Sequence, residues 1–256
     1  MEFVGITERG DAALDDGWKK WVYDKNLPAI LITKNAPLLE KNYPDILSKN
    51  VIIHATCTGL GNSFIEPNVP HYDKILDWIE NKTEEQRKRI VLRVDPICLP
   101  LFLCQDIVQY NNKNYFETII NIFNFAEELK LRTRISFLDL YPHVISRFDE
   151  RQDVQNFLKQ NYDEGLHLPL EDRKSFVAWV NKSWPYLKLE ICGEPGLPCD
   201  GCVSSIDLNI FGIEYNIDEF SYGNQRKGCQ CLALKTELLN NKCQCKHGCL
   251  YCYWRN

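Results

Sequence analysis

Ile90-Val91-Leu92-Arg93-Val94-Asp95-Pro96 decides how the chain is read. It is a short apolar run, rich in β-branched side chains and closed by a proline that cannot donate to a ladder, so it predicts a buried strand. Arg93 and Asp95 alternate with Leu92 and Val94, which puts the two charges on one face of that strand. Outward from it the same form recurs: upstream at Phe3–Ile6, Ala29–Ile32 and Val51–Ala55, downstream at Arg134–Leu138 and Leu187–Ile191. Helical spacing falls between these runs. Trp18, Trp21 and Val22 mark a short helix, and Ile75, Trp78 and Ile79 mark one from Tyr72 to Arg87. Phe116, Ile119, Ile120, Phe123 and Ala126 give the apolar face of another from Tyr115 to Leu129, and residues 143–184 predict two more around a loop at Gly165 and Pro169. Strands alternating with helices predict an α/β protein with a parallel sheet, and six strands are too few for a full eight-stranded barrel.

A chain of 256 residues is of barrel size, roughly 200–250 residues as one unit. The net charge of −5 gives no general nucleic-acid or membrane surface. No apolar run reaches the about 18 residues that span a bilayer, and no secretory signal is visible. The twelve cysteines therefore read as metal ligands in a reducing cytoplasm rather than as disulfides. Nine of them follow residue 190, while Cys57, Cys98 and Cys104 are scattered, so metal work belongs to the C-terminal end.

There the chain reads Cys245-Lys246-His247-Gly248-Cys249-Leu250-Tyr251-Cys252, a C-x3-C-x2-C loop that Gly248 allows to turn. Three thiolates at this spacing can each hold one iron of a cubane [4Fe–4S] cluster and leave the fourth iron open. The plainer alternative is a closed four-thiolate zinc site that adds Cys243.

With the aromatic Tyr251 directly before its last cysteine, the loop resembles the cluster loop of the radical S-adenosylmethionine (SAM) superfamily. The resemblance implies that SAM chelates the open iron. An electron from a donor such as flavodoxin or ferredoxin then cleaves SAM to a 5′-deoxyadenosyl radical. A wider match is carried by Asp95-Pro96, Ser136-Phe137-Leu138-Asp139-Leu140-Tyr141, Asn224-Gln225-Arg226 and Gly248-Cys249-Leu250-Tyr251-Cys252-Tyr253. Covering nearly the whole chain, it resembles an uncharacterised family of radical-SAM-like proteins, itself similar at a distance to spore photoproduct lyase, which acts on a thymine dimer in DNA. The fold implied is an open six-stranded parallel (β/α) partial TIM barrel over residues 1–194. Residues 195–256 form a cysteine-rich extension packed on its mouth as part of one structural unit. In the main superfamily the cluster loop follows the first strand; here it comes from the other end of the chain, so SAM-binding residues do not transfer one by one. Alignment with the uncharacterised family implies a second metal set of Cys192, Cys202, Cys229 and Cys231, holding a second [4Fe–4S] cluster or zinc, with Cys199 and Cys243 spare.

Functional groups of βα barrels sit at the C-terminal ends of the strands. Those ends are polar here: Glu8, Arg9 and Asp11; Thr33, Lys34 and Asn35; Thr56 and Thr58; Arg93 and Asp95; Ser136, Asp139 and Tyr141; Glu190 and Glu194. SAM carries an ammonium, a carboxylate, a sulfonium and ribose hydroxyls, which suits such a ring. Thr33, Lys34 and Glu194 are therefore expected to bind it, with Tyr251 packing on its adenine. Arg93, Asp95, Asp139 and Tyr141 are expected to hold the substrate, although Arg93 and Asp95 could simply pair with each other. The lyase resemblance makes a nucleotide or nucleic-acid base the first candidate substrate. Trp18, Trp21, Tyr253, Trp254, Arg226 and Arg255 would then either stack on bases or serve as packing. Gly59 and Gly61 either approach a phosphate or ribose or make a turn. The rival class is a non-catalytic, metal-stapled scaffold or binding protein on a βα barrel.

Overall fold

The computed structural model describes residues 4–103, 114–162, 165–215, 231, 235–240 and 245–253. Seven strands make one sheet: β1 (Gly5–Ile6), β2 (Ala29–Thr33), β3 (Val51–Thr56), β4 (Ile90–Ile97), β5 (Arg132–Phe137), β6 (Lys188–Ile191) and β7 (Thr236–Glu237). Their order is β6-β5-β4-β3-β2-β1-β7, and every pairing is parallel. The sheet is open, with β6 and β7 at its two edges. From β1 to β6, neighbours in sequence are neighbours in space, so successive crossovers of one hand stack their helices on the same face.

The expected count of six strands is corrected to seven. β7 is two residues long and lies in Leu234-Lys235-Thr236-Glu237-Leu238, where no alternation marks a strand. It exists because Thr236 N–H donates to Val4 O at 2.9 Å and Leu238 N–H to Ile6 O at 2.8 Å.

The α-helices among the described residues are α1 (Ala36–Asn42), α2 (Tyr72–Glu80), α3 (Glu84–Arg87), α4 (Tyr115–Glu128), α5 (Pro142–Ile145), α6 (Gln152–Gln160), α7 (Leu170–Ser183) and α8 (Ser205–Phe211), and the short helix expected around Trp18 to Val22 is a π-helix at Lys20–Asp24. The single helix expected from Tyr72 to Arg87 is two. Thr83 and Gln86 exchange side-chain and backbone hydrogen bonds as a capping box, which starts a new helix where the first has ended at Asn81. The same device at Asn114 and Glu117 starts α4. Among the described residues no helix is long and apolar enough to cross a membrane.

Period-2 alternation gives the sheet two different faces. Leu31, Ile53, Leu92, Val94, Ile135 and Phe137 join the helices in the main core. Ile6, Ile30, Ile52 and Val91 point the other way and are covered by Cys192, Cys202, Val203, Leu208 and Cys231. That second face is apolar at the start of β1–β4, carries His54 of β3 and Arg93 of β4 farther along, and is charged under β5 and β6. Arg132 of β5 donates to Glu190 of β6 at 2.6 Å and to Asp207 of α8 at 2.8 Å. Arg134 pairs with Glu190 and donates to Cys202 O at 3.0 Å. Charges buried this deeply are tolerated only as a mutually paired set, so the network fixes where α8 sits.

Candidate functional site

A cavity of about 240 Å³ lies at the C-terminal ends of the strands. Thr33 and Lys34 come to it from β2, Thr56 from β3, Arg93 and Asp95 from β4, and Ser136 from β5. Cys192 and Cys202 line one part of its wall, while Cys245, Cys249, Tyr251 and Cys252 line another. Two parts of the chain far apart in sequence thus bring their thiols to one space.

The terminal loop has little regular structure, so side chains of the strand-end loops hold it. Asp11, after β1, accepts from the Ala13 N–H, the Thr33 hydroxyl and the Lys34 N–H, and its Oδ2 meets His247 Nε2 at 2.8 Å. The other ring nitrogen of His247 faces Asn68 O at 3.1 Å. Glu66, fully buried, accepts from Thr58 at 2.6 Å, from Lys34 at 2.8 Å and from the Tyr251 hydroxyl. Lys34 also donates to the Tyr251 oxygen at 2.6 Å. Farther along, Arg147 donates to Leu250 O at 3.0 Å and to Cys252 O at 2.6 Å, and Asn68 donates to Lys246 O at 2.9 Å. The polar strand ends are therefore spent in part on seating the thiol loop.

Burial pushes the Cys245 thiol up to about 11 and the Cys249 thiol up to about 12, although the Lys34 charge eases ionisation at both. Any ion held there must displace those protons. Burial also opposes the charge on Asp95, but Arg93 and the Ser136 hydroxyl more than offset it and lower the carboxyl to about 2. Arg93 and Asp95 do pair with each other, and both still line the cavity. On the second face, between Ile52 and Thr56, His54 has neither ring nitrogen hydrogen-bonded among the described residues. Burial, then the charges of Arg134, Arg93 and Arg132, holds its pKa well below the usual value, so the ring stays neutral.

The two thiol groups differ in spacing. Cys192 Sγ is 3.0 Å from Cys202 Sγ, the Cys202 N–H donates to Cys231 Sγ at 2.9 Å, and ligand atoms of Glu8, Cys202 and Cys231 all lie within 4.8 Å of one another. Among the described residues that last trio alone closes to single-ion spacing; Cys245, Cys249 and Cys252 stand farther apart as a set.

Other expected residues take different places. Asp139 is buried off the cavity, 2.7 Å from His167 Nδ1, and its N–H donates to the Tyr253 hydroxyl. Tyr141 packs edge-on against the Tyr253 ring. Glu194 accepts from the Phe137 N–H at 2.7 Å and from Arg173 at 3.0 Å, and burial raises its carboxyl to about 7. Tyr251 borders the cavity, with its hydroxyl committed to Glu66 and Lys34. Cys229, Cys243, Asn224-Gln225-Arg226, Trp254 and Arg255 lie outside the described residues. Trp18 is fully buried and donates to Ala12 O, so it offers no stacking surface. Gly61 packs against the protein's own backbone, bridged to Glu66: a Cβ there would meet Pro70 O at 2.1 Å. Glu66, Asn68, Arg147 and His247 received no role from the sequence. Only His247 carried a signal, as a histidine inside the thiol loop.

Fold and site together define an open parallel α/β protein with a cysteine-lined cavity at its strand ends. The sequence profile of the domain of unknown function DUF1848 matches residues 25–254, and the chain belongs to that family. No curated protein and no solved structure matches the chain.

Proposed function

We propose that the protein is a radical SAM enzyme whose [4Fe–4S] cluster is held by Cys245, Cys249 and Cys252. The observation that carries this reading is the convergence of these three thiols on the strand-end cavity at more than single-ion spacing. Around one zinc, sulfurs sit about 3.8 Å apart, from a Zn–S length of about 2.3 Å in a tetrahedron. Thiolates on separate irons of a cubane stand wider, and one iron keeps an open position. The sequential order β1 to β6 supports a partial (β/α) barrel, whose mouth is where such chemistry sits. A cluster held by Cys245, Cys249 and Cys252 would supply the electron for reductive cleavage of a C–S bond of SAM, with methionine and a 5′-deoxyadenosyl radical as the products.

The chain's own residues position and enclose. Asp11 fixes the loop at His247, Arg147 holds it at Cys252 O, and the Glu66–Lys34 pair holds Tyr251. Lys34 and Arg93 present positive charge suited to a carboxylate, while Asp95 presents negative charge suited to an ammonium. Exclusion of water by the bound cofactor and substrate would protect a radical from quenching. The electron donor is a flavodoxin- or ferredoxin-type protein in a reducing cytoplasm. The substrate is a nucleotide or nucleic-acid base, with Asp139 and Tyr141 reaching it only by way of Tyr253.

The scaffold reading is favoured by one observation: Asp11, Glu66 and Lys34 have partners inside the protein, so polar strand ends do not by themselves require a ligand. The two readings part in one assay. Anaerobically reconstituted protein with SAM and dithionite should release 5′-deoxyadenosine, and Arg93→Ala should cut that release without removing iron. Cluster-replete protein that releases none is a scaffold.

A further inference from the structure

Beyond the terminal loop, a second group of metal-type ligands stands where the sheet fails to close. Cys192 directly follows β6, one edge of the sheet. Glu8 follows β1, and Cys231 lies shortly before β7, the other edge. Cys202 comes from the segment that leads into α8. No strand pairing joins the two edges among the described residues, yet ligand atoms of Glu8, Cys202 and Cys231 come within 4.8 Å of one another and Cys192 Sγ lies 3.0 Å from Cys202 Sγ.

We infer that Glu8, Cys202 and Cys231 form a site for one zinc-type ion, which Cys192 completes as fourth ligand by moving in from its contact with Cys202, and which joins the two edges of the open sheet. Spacing decides for one ion over a second cubane. Cys192 and Cys202 are 3.0 Å apart, and the Glu8, Cys202 and Cys231 ligand atoms lie within 4.8 Å of one another. Sulfurs sharing one tetrahedral zinc sit about 3.8 Å apart, so small adjustments admit the ion, whereas separate irons require a wide opening. The surroundings fit an anionic site. Lys235 holds both Glu8 oxygens, at 2.7 and 2.8 Å, and leaves lone pairs for a metal. The charges of Lys235, Arg93 and Arg134 also bear on these thiols. The Cys202 N–H bond to Cys231 Sγ and the Arg134 bond to Cys202 O orient the ligands from outside, as supporting groups do in metal sites. Glu8, Cys192 and Cys202 also line the strand-end cavity, so the ion would border the proposed reaction chamber without belonging to the loop's cluster.

The test uses the full chain carrying Cys245→Ala, Cys249→Ala and Cys252→Ala, so failure of the radical reading cannot affect it. After chelation, this protein should take up one Zn²⁺ per chain, or one Co²⁺ with thiolate-to-cobalt bands of a tetrahedral site. Chelation should lower its Tm by roughly 5 °C or more, as loss of a ligand specific to the native state does. Adding Glu8→Gln should weaken uptake at least about tenfold, and adding Cys202→Ser should abolish it. If the Cys202 variant does not fold, Glu8→Gln, at a partly exposed position, decides alone. Three results would overturn the site: no Co²⁺ uptake, incorporation of iron with sulfide in its place, or Glu8→Gln without effect while Cys229→Ala removes the metal.

Discussion

Two groups of thiols border one cavity, the first through Cys192 and Cys202, and they are built in opposite ways. Cys192 directly follows β6 and Cys202 leads into α8, on a face stiffened by the Arg132–Glu190–Asp207 network, and the Cys202 N–H holds Cys231 Sγ beside them. Cys245, Cys249 and Cys252 sit on a loop with almost no regular structure, positioned by side chains that reach across from other elements. The first group is close, the second is spread. A thiol set on rigid backbone suits a single ion that joins elements. A set on a tethered loop suits a larger cofactor with one position left open.

The largest expected effect separates the groups outright. Replacing Cys245, Cys249 and Cys252 by alanine should abolish 5′-deoxyadenosine release and remove the iron, with zinc left in place, as elemental analysis would read. Asp207→Ala should come next, because it leaves Arg132 and Arg134 short of a buried partner. Loss of one member of such a set costs about 3–5 kcal/mol, which urea unfolding would measure.

Asp95 gives a smaller effect with a defined pH window. Its folded pKa is depressed to about 2, so its stabilisation is complete above the unfolded value near 3.8 and fades as pH falls towards 2. The difference in unfolding free energy between wild type and Asp95→Asn, in chelated protein, should be about 2 kcal/mol near pH 6 and shrink below about pH 4. A difference that grew on acidification would mean the carboxyl is not held by Arg93. Smallest is Arg147→Ala, which frees one side of the loop. It should speed loss of iron roughly tenfold and leave zinc retention unchanged. An equal effect on both metals would erase the distinction between tethered and rigid ligands.

Strands β1 to β6 were legible because local chemistry specifies them: apolar runs such as Val51-Ile52-Ile53 alternate between two buried faces and end at polar residues. β7 was not, since two residues take their conformation from Val4 and Ile6, more than two hundred positions away. For the same reason the sequence showed that residues after 190 gather ligands, but not which strand end each would meet. The pairs His247–Asp11 and Tyr251–Glu66 join the terminal loop to the loops after β1 and β3, and no spacing rule reports contacts of that range. Strand-end residues such as Asp11 and Lys34 were visible as polar. That they seat a loop as well as face a cavity became visible only when the loop was in place.

The contrast between the groups is most directly tested by counting iron, acid-labile sulfide and zinc in anaerobically reconstituted wild-type protein. About four iron, about four sulfide and about one zinc per chain are expected. About eight iron without zinc, or zinc at both places without sulfide, would contradict the assignment of a cluster to the loop and a single ion to the sheet.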